Sequence, residues 1–155
     1  MPYRHTQRGF AILVVCLAVG ALGAAIIRQT GQMSMIPMLI VVIAVAVVFH
    51  SLTVEVSDSE LRWHFGPGFW TYRLALDEIR NVAVVRNHWW NGFGIRIASG
   101  FRLYNVSGLD AVELVLKSGD IRRIGTDDPQ GLAAALCRHA KTGSTKCLIL
   151  LNPAF

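Results

Sequence analysis

Two long apolar stretches near the start of the chain constrain its fold more than any other feature. Residues 10–27 and 33–49 contain no charged side chain, and the short polar segment Arg28-Gln29-Thr30-Gly31-Gln32 separates them. A helix that crosses the hydrocarbon core of a bilayer needs roughly 20 apolar residues, and both stretches approach that length. We therefore predict a membrane α-hairpin, with a first span over 10–27, a loop over 28–33 and a second span over 34–51.

Two other interpretations of these stretches are open. They could be buried helices of a water-soluble protein, although two uncharged runs of this length are rare in such cores. The first stretch could also be a cleaved signal peptide, with Arg4 and Arg8 as its charged region and Gly23-Ala24-Ala25 as its cleavage site. The second apolar stretch follows that site closely, which favours a retained hairpin.

Arginine placement predicts the orientation of this hairpin. Arg4 and Arg8 precede the first span, Arg28 alone lies between the spans, and three arginines follow the second span: Arg62, Arg73 and Arg80. Lys and Arg are enriched on the cytoplasmic side of membrane proteins. The pattern thus predicts that both termini, including residues 1–9, lie in the cytoplasm and that the loop lies outside.

Charge, cysteine and histidine content argue against several kinds of partner. The net charge is +5, but all ten carboxylates follow residue 54, so the chain beyond the hairpin is nearly balanced. No basic helix face is present, and we predict no nucleic-acid partner. Cys16, Cys137 and Cys147 show no paired spacing, and with Cys16 inside the first span and the other two in the cytoplasm we predict free thiols. The five histidines are scattered, so we predict no metal site and no cofactor.

The chain after the hairpin has the pattern of a mainly-β domain over residues 52–141, with a tail over 142–155. Short segments with alternating apolar residues and turn residues between them predict strands, at 52–56, 61–65, 69–74, 81–86, 95–98, 101–104, 111–117 and 121–125. Asp127 and Asp128, followed by Pro129, are typical of a helix start. We interpret these acids as caps rather than as a metal pair. The order predicts a bent sheet or barrel that a C-terminal helix closes.

Several short motifs resemble a known family. They are Leu76-Asp77-Glu78-Ile79, Trp90-Asn91-Gly92-Phe93-Gly94-Ile95-Arg96, Tyr104-Asn105-Val106-Ser107-Gly108, Ala111-Val112-Glu113 and Ile124-Gly125-Thr126-Asp127-Asp128-Pro129. With the two spans, they resemble small bacterial membrane proteins that carry a pleckstrin-homology-like (PH-like) domain. The resemblance implies a bent, seven-stranded antiparallel sheet with a capping helix. It implies no catalytic residues.

A segment rich in arginine and aromatic residues is the best candidate for a functional surface. Residues 79–109 contain four arginines and no carboxylate. Anionic lipid headgroups attract arginine, and tryptophan favours the membrane interface. The predicted lipid or partner contacts are Arg86, Trp89, Trp90, Arg96 and Arg102. The alternative interpretation places Trp90 and Tyr104 in the core, where most aromatic side chains lie.

Small residues in the first span suggest helix packing. Gly20 and Ala24 lie four residues apart, a spacing that lets another helix approach closely. That helix could be the second span or a second copy of the chain. Together these features predict a non-catalytic adaptor whose domain binds lipid headgroups or a protein at the membrane. The alternative is an accessory subunit of a larger membrane assembly, with the hairpin as its interface.

Overall fold

The computed structural model describes residues 3–88, 94–98, 100–139 and 146–152. The elements in these ranges are β1 (Tyr3–Arg8), α1 (Phe10–Thr30), α2 (Ile36–Phe49), β2 (Ser51–Val56), β3 (Glu60–Phe65), β4 (Thr71–Ala75), β5 (Ile79–Arg86), β6 (Gly94–Ala98), β7 (Phe101–Asn105), β8 (Asp110–Leu116), β9 (Ile121–Gly125), α3 (Pro129–His139) and β10 (Lys146–Asn152). Short 3-10 turns at Met33–Met35 and Leu76–Glu78 precede α2 and β5.

The strands form two sheets. The four-stranded sheet has the order β1-β2-β3-β4, and all of its neighbouring strands are antiparallel. The six-stranded sheet has the order β10-β5-β8-β9-β7-β6, in which β10–β5 and β7–β9 are parallel pairs. Because β1 pairs with β2, the helices α1 and α2 interrupt two neighbouring strands of one sheet.

One hydrophobic core lies between the sheets. Side chains alternate across a strand, so in β3 Leu61, Trp63 and Phe65 are buried while the residues between them face outward. Trp63 stacks on the Tyr72 ring at 5.6 Å and meets the edge of Tyr104 at 5.2 Å, measured between ring centroids. Tyr104 is buried, so its core interpretation is confirmed.

Helix α3 covers one side of this core. It packs against β5, β8 and β10, with Leu132 and Leu136 fully buried. Asp128 Oδ1 accepts a hydrogen bond of 3.0 Å from the Gly131 amide, which is a cap at the start of the helix. The predicted cap is therefore confirmed for Asp128, whereas the Asp127 carboxylate contacts the His5 ring of β1.

The two apolar helices differ in length. Helix α1 has 21 residues and is long and apolar enough to cross a membrane. At about 1.5 Å per residue it matches a hydrocarbon core of about 30 Å. The second apolar helix, Met33–Phe49, is shorter, so by length one helix of the described residues qualifies as a candidate span. Gly31 takes the left-handed conformation (φ 66°) that ends α1 and turns the chain back.

The domain is mainly β, as the alternation pattern predicted, but its sheets differ from the expected seven-stranded antiparallel sheet. The structure has four and six strands in two sheets and includes two parallel pairs. Residues assigned to the cytoplasmic N-terminus form β1, and residues assigned to the tail form β10. Neither strand was predicted, because β1 is polar and β10 lies beyond the helix that was expected to end the domain.

The prediction of free thiols is wrong for two of the three cysteines. Cys137 of α3 and Cys147 of β10 form a disulfide, with their Cα atoms 6.1 Å apart. Cys16 of α1 is free. The error has a physical cause: β10 pairs with β5 beside α3, and this return of the chain brings Cys147 next to the helix.

Candidate membrane-contact site

The junction between the helices and the domain is tightly built. Arg8 and Ser51 are partners at the end of the β1–β2 ladder, and the Gly9 amide donates a hydrogen bond of 2.6 Å to the His50 carbonyl. A Cβ atom on Gly9 would collide with the Phe49 carbonyl oxygen. Glycine thus permits a close backbone approach where the chain enters α1 and leaves α2.

The helix ends also pack into the domain. Ile12 of α1 and Val48 and Phe49 of α2 contact the hydrophobic core. The Phe49 ring meets the edge of the Phe65 ring at a centroid distance of 5.2 Å. The core of the domain is therefore continuous with the first turn of α1 and the last turn of α2, and the two parts do not have a flexible linker between them.

Beyond this junction, the helices expose apolar side chains on several faces. The largest exposed ones include Val14, Leu17, Leu22, Ile40 and Ile43. In helix α1 only Gly23 is buried, and in α2 no residue is. Apolar surface of this extent is typical of contact with lipid or with other membrane helices.

The small residues of α1 divide between two roles. Gly23 contacts α2: a Cβ atom there would lie 2.8 Å from Leu39 Cδ2. Gly20 has no atom within 4 Å of such a position. Gly20 and Ala24, the predicted packing residues, instead line an open apolar groove of about 840 Å³ between the helices, with Cys16, Ala21, Val42 and Ala46 among its other lining residues.

The predicted contact arginines do not form one surface. Arg86 is exposed at the end of β5 and lies 3.9 Å from the Asp110 carboxylate. Arg96 is paired with Leu103 in the β6–β7 ladder, whereas Arg102 is paired with Ile97. Because successive residues face opposite sides of a sheet, Arg96 and Arg102 lie on opposite faces of this hairpin. Trp89 and Trp90 lie outside the described residues.

A partly buried polar network holds the end of β5, which precedes Trp89 and Trp90 in the chain. Arg123 Nε donates a hydrogen bond of 2.7 Å to Glu113 Oε2, and its Nη1 donates one of 3.2 Å to Asn87 Oδ1. The guanidinium also lies 4.0 Å from the centroid of the Phe101 ring. The Asn87 amide donates to the Leu109 carbonyl. These contacts fix the position of Asn87.

A second polar cluster fastens β1 to the start of α3. The Tyr3 hydroxyl donates a hydrogen bond of 3.0 Å to Asp128 Oδ2. Burial of the phenol, followed by the hydrogen bond to Asp128 and its charge, raises the pKa of Tyr3 above its usual range. Gln7 Nε2 donates to the Ser107 carbonyl at 2.7 Å. The N-terminal strand is thus integral to the domain.

The turn between β3 and β4 carries two exposed aromatic residues that the sequence analysis placed in a strand. Phe69 is 73% exposed and Trp70 is 58% exposed. The predicted strand began at residue 69, but β4 begins at Thr71. The signal was present in the sequence, because Gly66-Pro67-Gly68 demands a turn and leaves the following residues beyond the ladder.

Among the described residues, no group of three or more His, Cys, Asp or Glu side chains could hold a metal ion. The features of the site are thus apolar surface, exposed aromatics and arginine. A scan of protein-family models, a search of curated protein sequences and a search of solved structures each returned no match to the chain. The fold and the site define a mainly-β domain joined rigidly to an apolar helical hairpin.

Proposed function

We propose that this protein is a non-catalytic inner-membrane protein that presents a PH-like domain at the membrane surface, where the domain binds lipid headgroups or a protein partner. The observation that carries the proposal is the insertion of the helical hairpin between the paired strands β1 and β2. An inserted hairpin with exposed apolar surface holds the domain at a fixed height on the bilayer.

The same connection supports two spans. Arg8 and Ser51 are ladder partners, so the chain must return to the side from which α1 departs. If α1 crosses the bilayer, α2 must cross back. The shorter Met33–Phe49 helix is compatible with a span through local thinning of the bilayer, which costs fractions of a kcal/mol per Å of mismatch.

Exposed arginines support the lipid-headgroup part of the proposal. Arg8 is exposed and lies two residues before Phe10, the first residue of α1. Arg86, Arg96 and Arg102 are also exposed, although on different faces. Each basic residue near an anionic surface contributes about 1 kcal/mol of attraction. The predicted contacts at Trp89 and Trp90 belong to the same proposal.

The full-length protein tests this proposal. Purified in mild detergent, the natural protein should retain anionic phospholipid, which native mass spectrometry counts. The double variant Arg86→Ala, Trp89→Ala should retain less. Arg138→Ala removes an exposed arginine from α3 and serves as the control for the loss of one positive charge. Equal lipid retention by the double variant and the control would refute the headgroup contact.

The arginine bias supports a cytoplasmic position of the domain. That position determines the expected redox state of the disulfide. Disulfides persist in oxidising compartments and are rare in the cytoplasm. In the proposed orientation, the Cys137–Cys147 disulfide of the structure is therefore a bond that forms on oxidation. A disulfide inside living cells would favour the opposite orientation, with the domain outside.

A second function is favoured by the groove between α1 and α2. Gly20, Ala21 and Ala24 are among the mainly apolar residues that line its volume of about 840 Å³, which suits an apolar transmembrane helix of a partner subunit. In this alternative the protein is an accessory subunit of a membrane assembly, or a homo-oligomer. Co-purification of a stoichiometric membrane partner, lost in Gly20→Leu but kept in Leu22→Ala, would support the alternative.

A further inference from the structure

The turn between β3 and β4 projects apolar aromatic side chains where a water-soluble surface would carry polar ones. Its neighbours Phe65 and Tyr72 pack with the aromatic core, but Phe69 and Trp70 are 73% and 58% exposed. Two adjacent exposed aromatics on one turn are unfavourable in water, since each leaves a large apolar area hydrated.

This turn lies beside the last turn of α2. A Cβ atom on Gly66 would be 2.5 Å from the Val48 carbonyl oxygen and 2.7 Å from that of Val47. The Gly66 amide also donates a hydrogen bond of 2.8 Å to the Ser51 carbonyl. The turn is therefore level with the domain-side end of the apolar hairpin, where the hydrocarbon region meets the headgroups.

The turn is held in shape by its own contacts. The Gly68 amide donates to the Phe65 carbonyl at 3.0 Å, and Thr71 Oγ1 donates to the Gly68 carbonyl at 3.4 Å. Gly68 has φ 93°, a conformation that favours glycine, and a Cβ atom there would lie 3.5 Å from Nδ1 of His64. A turn with a fixed backbone loses little conformational entropy when its side chains enter the membrane interface.

We infer that Phe69 and Trp70 insert into the headgroup–hydrocarbon boundary of the bilayer that holds the hairpin, as a third point of attachment beside α1 and α2. Tryptophan prefers this boundary because its ring is apolar and its indole N–H can bond to polar groups. Gly66 brings the turn against the backbone of Val47, whose side chain is exposed on the apolar hairpin, and this position favours lipid as the occupant. The inference rests on the proposed insertion of the hairpin, and it adds a contact that requires no lipid charge.

Fluorescence of the full-length protein in neutral phosphatidylcholine vesicles tests this inference. Vesicles with brominated acyl chains quench tryptophans near the boundary. The quenching of the natural protein is compared with that of Trp70→Phe, so that the difference reports Trp70 while the other three tryptophans contribute to both proteins. We expect Trp70→Phe to lose the part of the lipid-quenched emission that Trp70 contributes, whereas any quenching of Trp89 and Trp90 is the same in both proteins. Phe69→Ser retains Trp70 but should weaken the insertion of the turn, so that the tryptophan emission shifts to longer wavelength.

Ile97→Ser is the matched control, since Ile97 is 81% exposed on β6, far from the turn in the chain. It should leave lipid quenching unchanged. Quenching of Trp70 by aqueous acrylamide but not by brominated lipid would overturn the inference. Protection from both quenchers would also overturn it, because a protein surface or a second copy would then cover the turn.

Carbonate extraction separates this result from a failure of the proposed function. Release of the protein from membranes by carbonate would refute the inserted hairpin itself. Retention in the membrane together with a water-accessible Trp70 would refute only the contact made by the turn.

Discussion

Arg8 lies directly opposite Ser51 in the β1–β2 ladder, although the whole helical hairpin lies between them in the chain. The pairing makes the N-terminal residues part of the domain and brings both ends of the hairpin to one place. Gly9 and Gly66 allow backbone atoms to approach the end of α2 closely. The domain and the hairpin are therefore one mechanical unit.

Replacement of residues 9–50 by an Asn-Gly turn should yield a folded, water-soluble domain. Arg8 and Ser51 already face each other, and a two-residue turn is the natural connection for such partners. We expect a cooperative thermal unfolding transition by circular dichroism and a monomer in gel filtration.

The control for this variant begins at residue 51 and lacks β1. It loses the Tyr3–Asp128 and Gln7–Ser107 hydrogen bonds and exposes the edge of β2. It should unfold at a lower temperature or aggregate. Equal stability of the two variants would mean that β1 is not an integral strand.

Gly9→Ala should loosen the junction between α1 and the domain. Gly9 has φ −82°, which alanine tolerates, so the effect is steric: the new methyl group collides with the Phe49 carbonyl. Overpacking of this kind costs about 1–3 kcal/mol of unfolding free energy, measured by denaturation in detergent. Gly20→Ala, with open space around it, is the control and should be neutral or slightly stabilising.

Alkaline pH should destabilise the domain through Tyr3. The folded pKa of Tyr3 is raised, mainly by burial and then by Asp128, whereas the side chain in the unfolded chain titrates at about pH 10. Below that pH the phenol is neutral in both states and its stabilising contact is complete. As the pH rises further, the unfolded chain loses the proton first, and the free energy of unfolding falls.

Tyr3→Phe removes this dependence. We expect the unfolding free energy of Tyr3→Phe at neutral pH to be lower than that of the natural protein by about 1 kcal/mol, the usual net contribution of one hydrogen bond. Above about pH 10 it should change less steeply with pH than that of the natural protein. Parallel curves for the two proteins across the alkaline range would exclude Tyr3 as the titrating group.

The redox state of Cys137 and Cys147 reports the compartment of the domain. Cells quenched in acid and treated with an alkylating reagent should yield both residues as modified thiols, because the proposed orientation places them in the reducing cytoplasm. The same protein oxidised after purification should show the disulfide by mass spectrometry. An oxidised pair in freshly quenched cells would contradict the orientation.

Most of the fold could be predicted from the sequence where one local pattern decided the structure. Strands β2, β3 and β8 have period-two alternation and a buried face, and α3 has its cap and Pro129. The strands β1 and β10 could not be predicted, because their partners lie far away in the chain and tertiary pairing decides their structure. The disulfide depends on β10 and was missed for the same reason.

The candidate site was only partly predictable. The exposed arginines at 86, 96 and 102 were identified, but the register that puts Arg96 and Arg102 on opposite faces is a property of the β6–β7 pairing. Phe69 and Trp70 were overlooked because aromatic residues in an apolar context favour a strand. Gly66-Pro67-Gly68 signals the turn in the sequence, but the closeness of this turn to the end of α2 is a property of the fold.

Membrane-side labelling tests the central claim most directly. Single cysteines are placed at Arg4 of β1, Gln32 between the helices and Asp58 after β2, with the native cysteines replaced by serine, and a membrane-impermeant maleimide is applied to intact cells. A hairpin that crosses the bilayer twice predicts that position 32 is labelled in intact cells. Positions 4 and 58 should stay unlabelled until the membrane is opened. Labelling of all three positions from the same side would contradict a hairpin that crosses the bilayer twice and carries the domain on one surface.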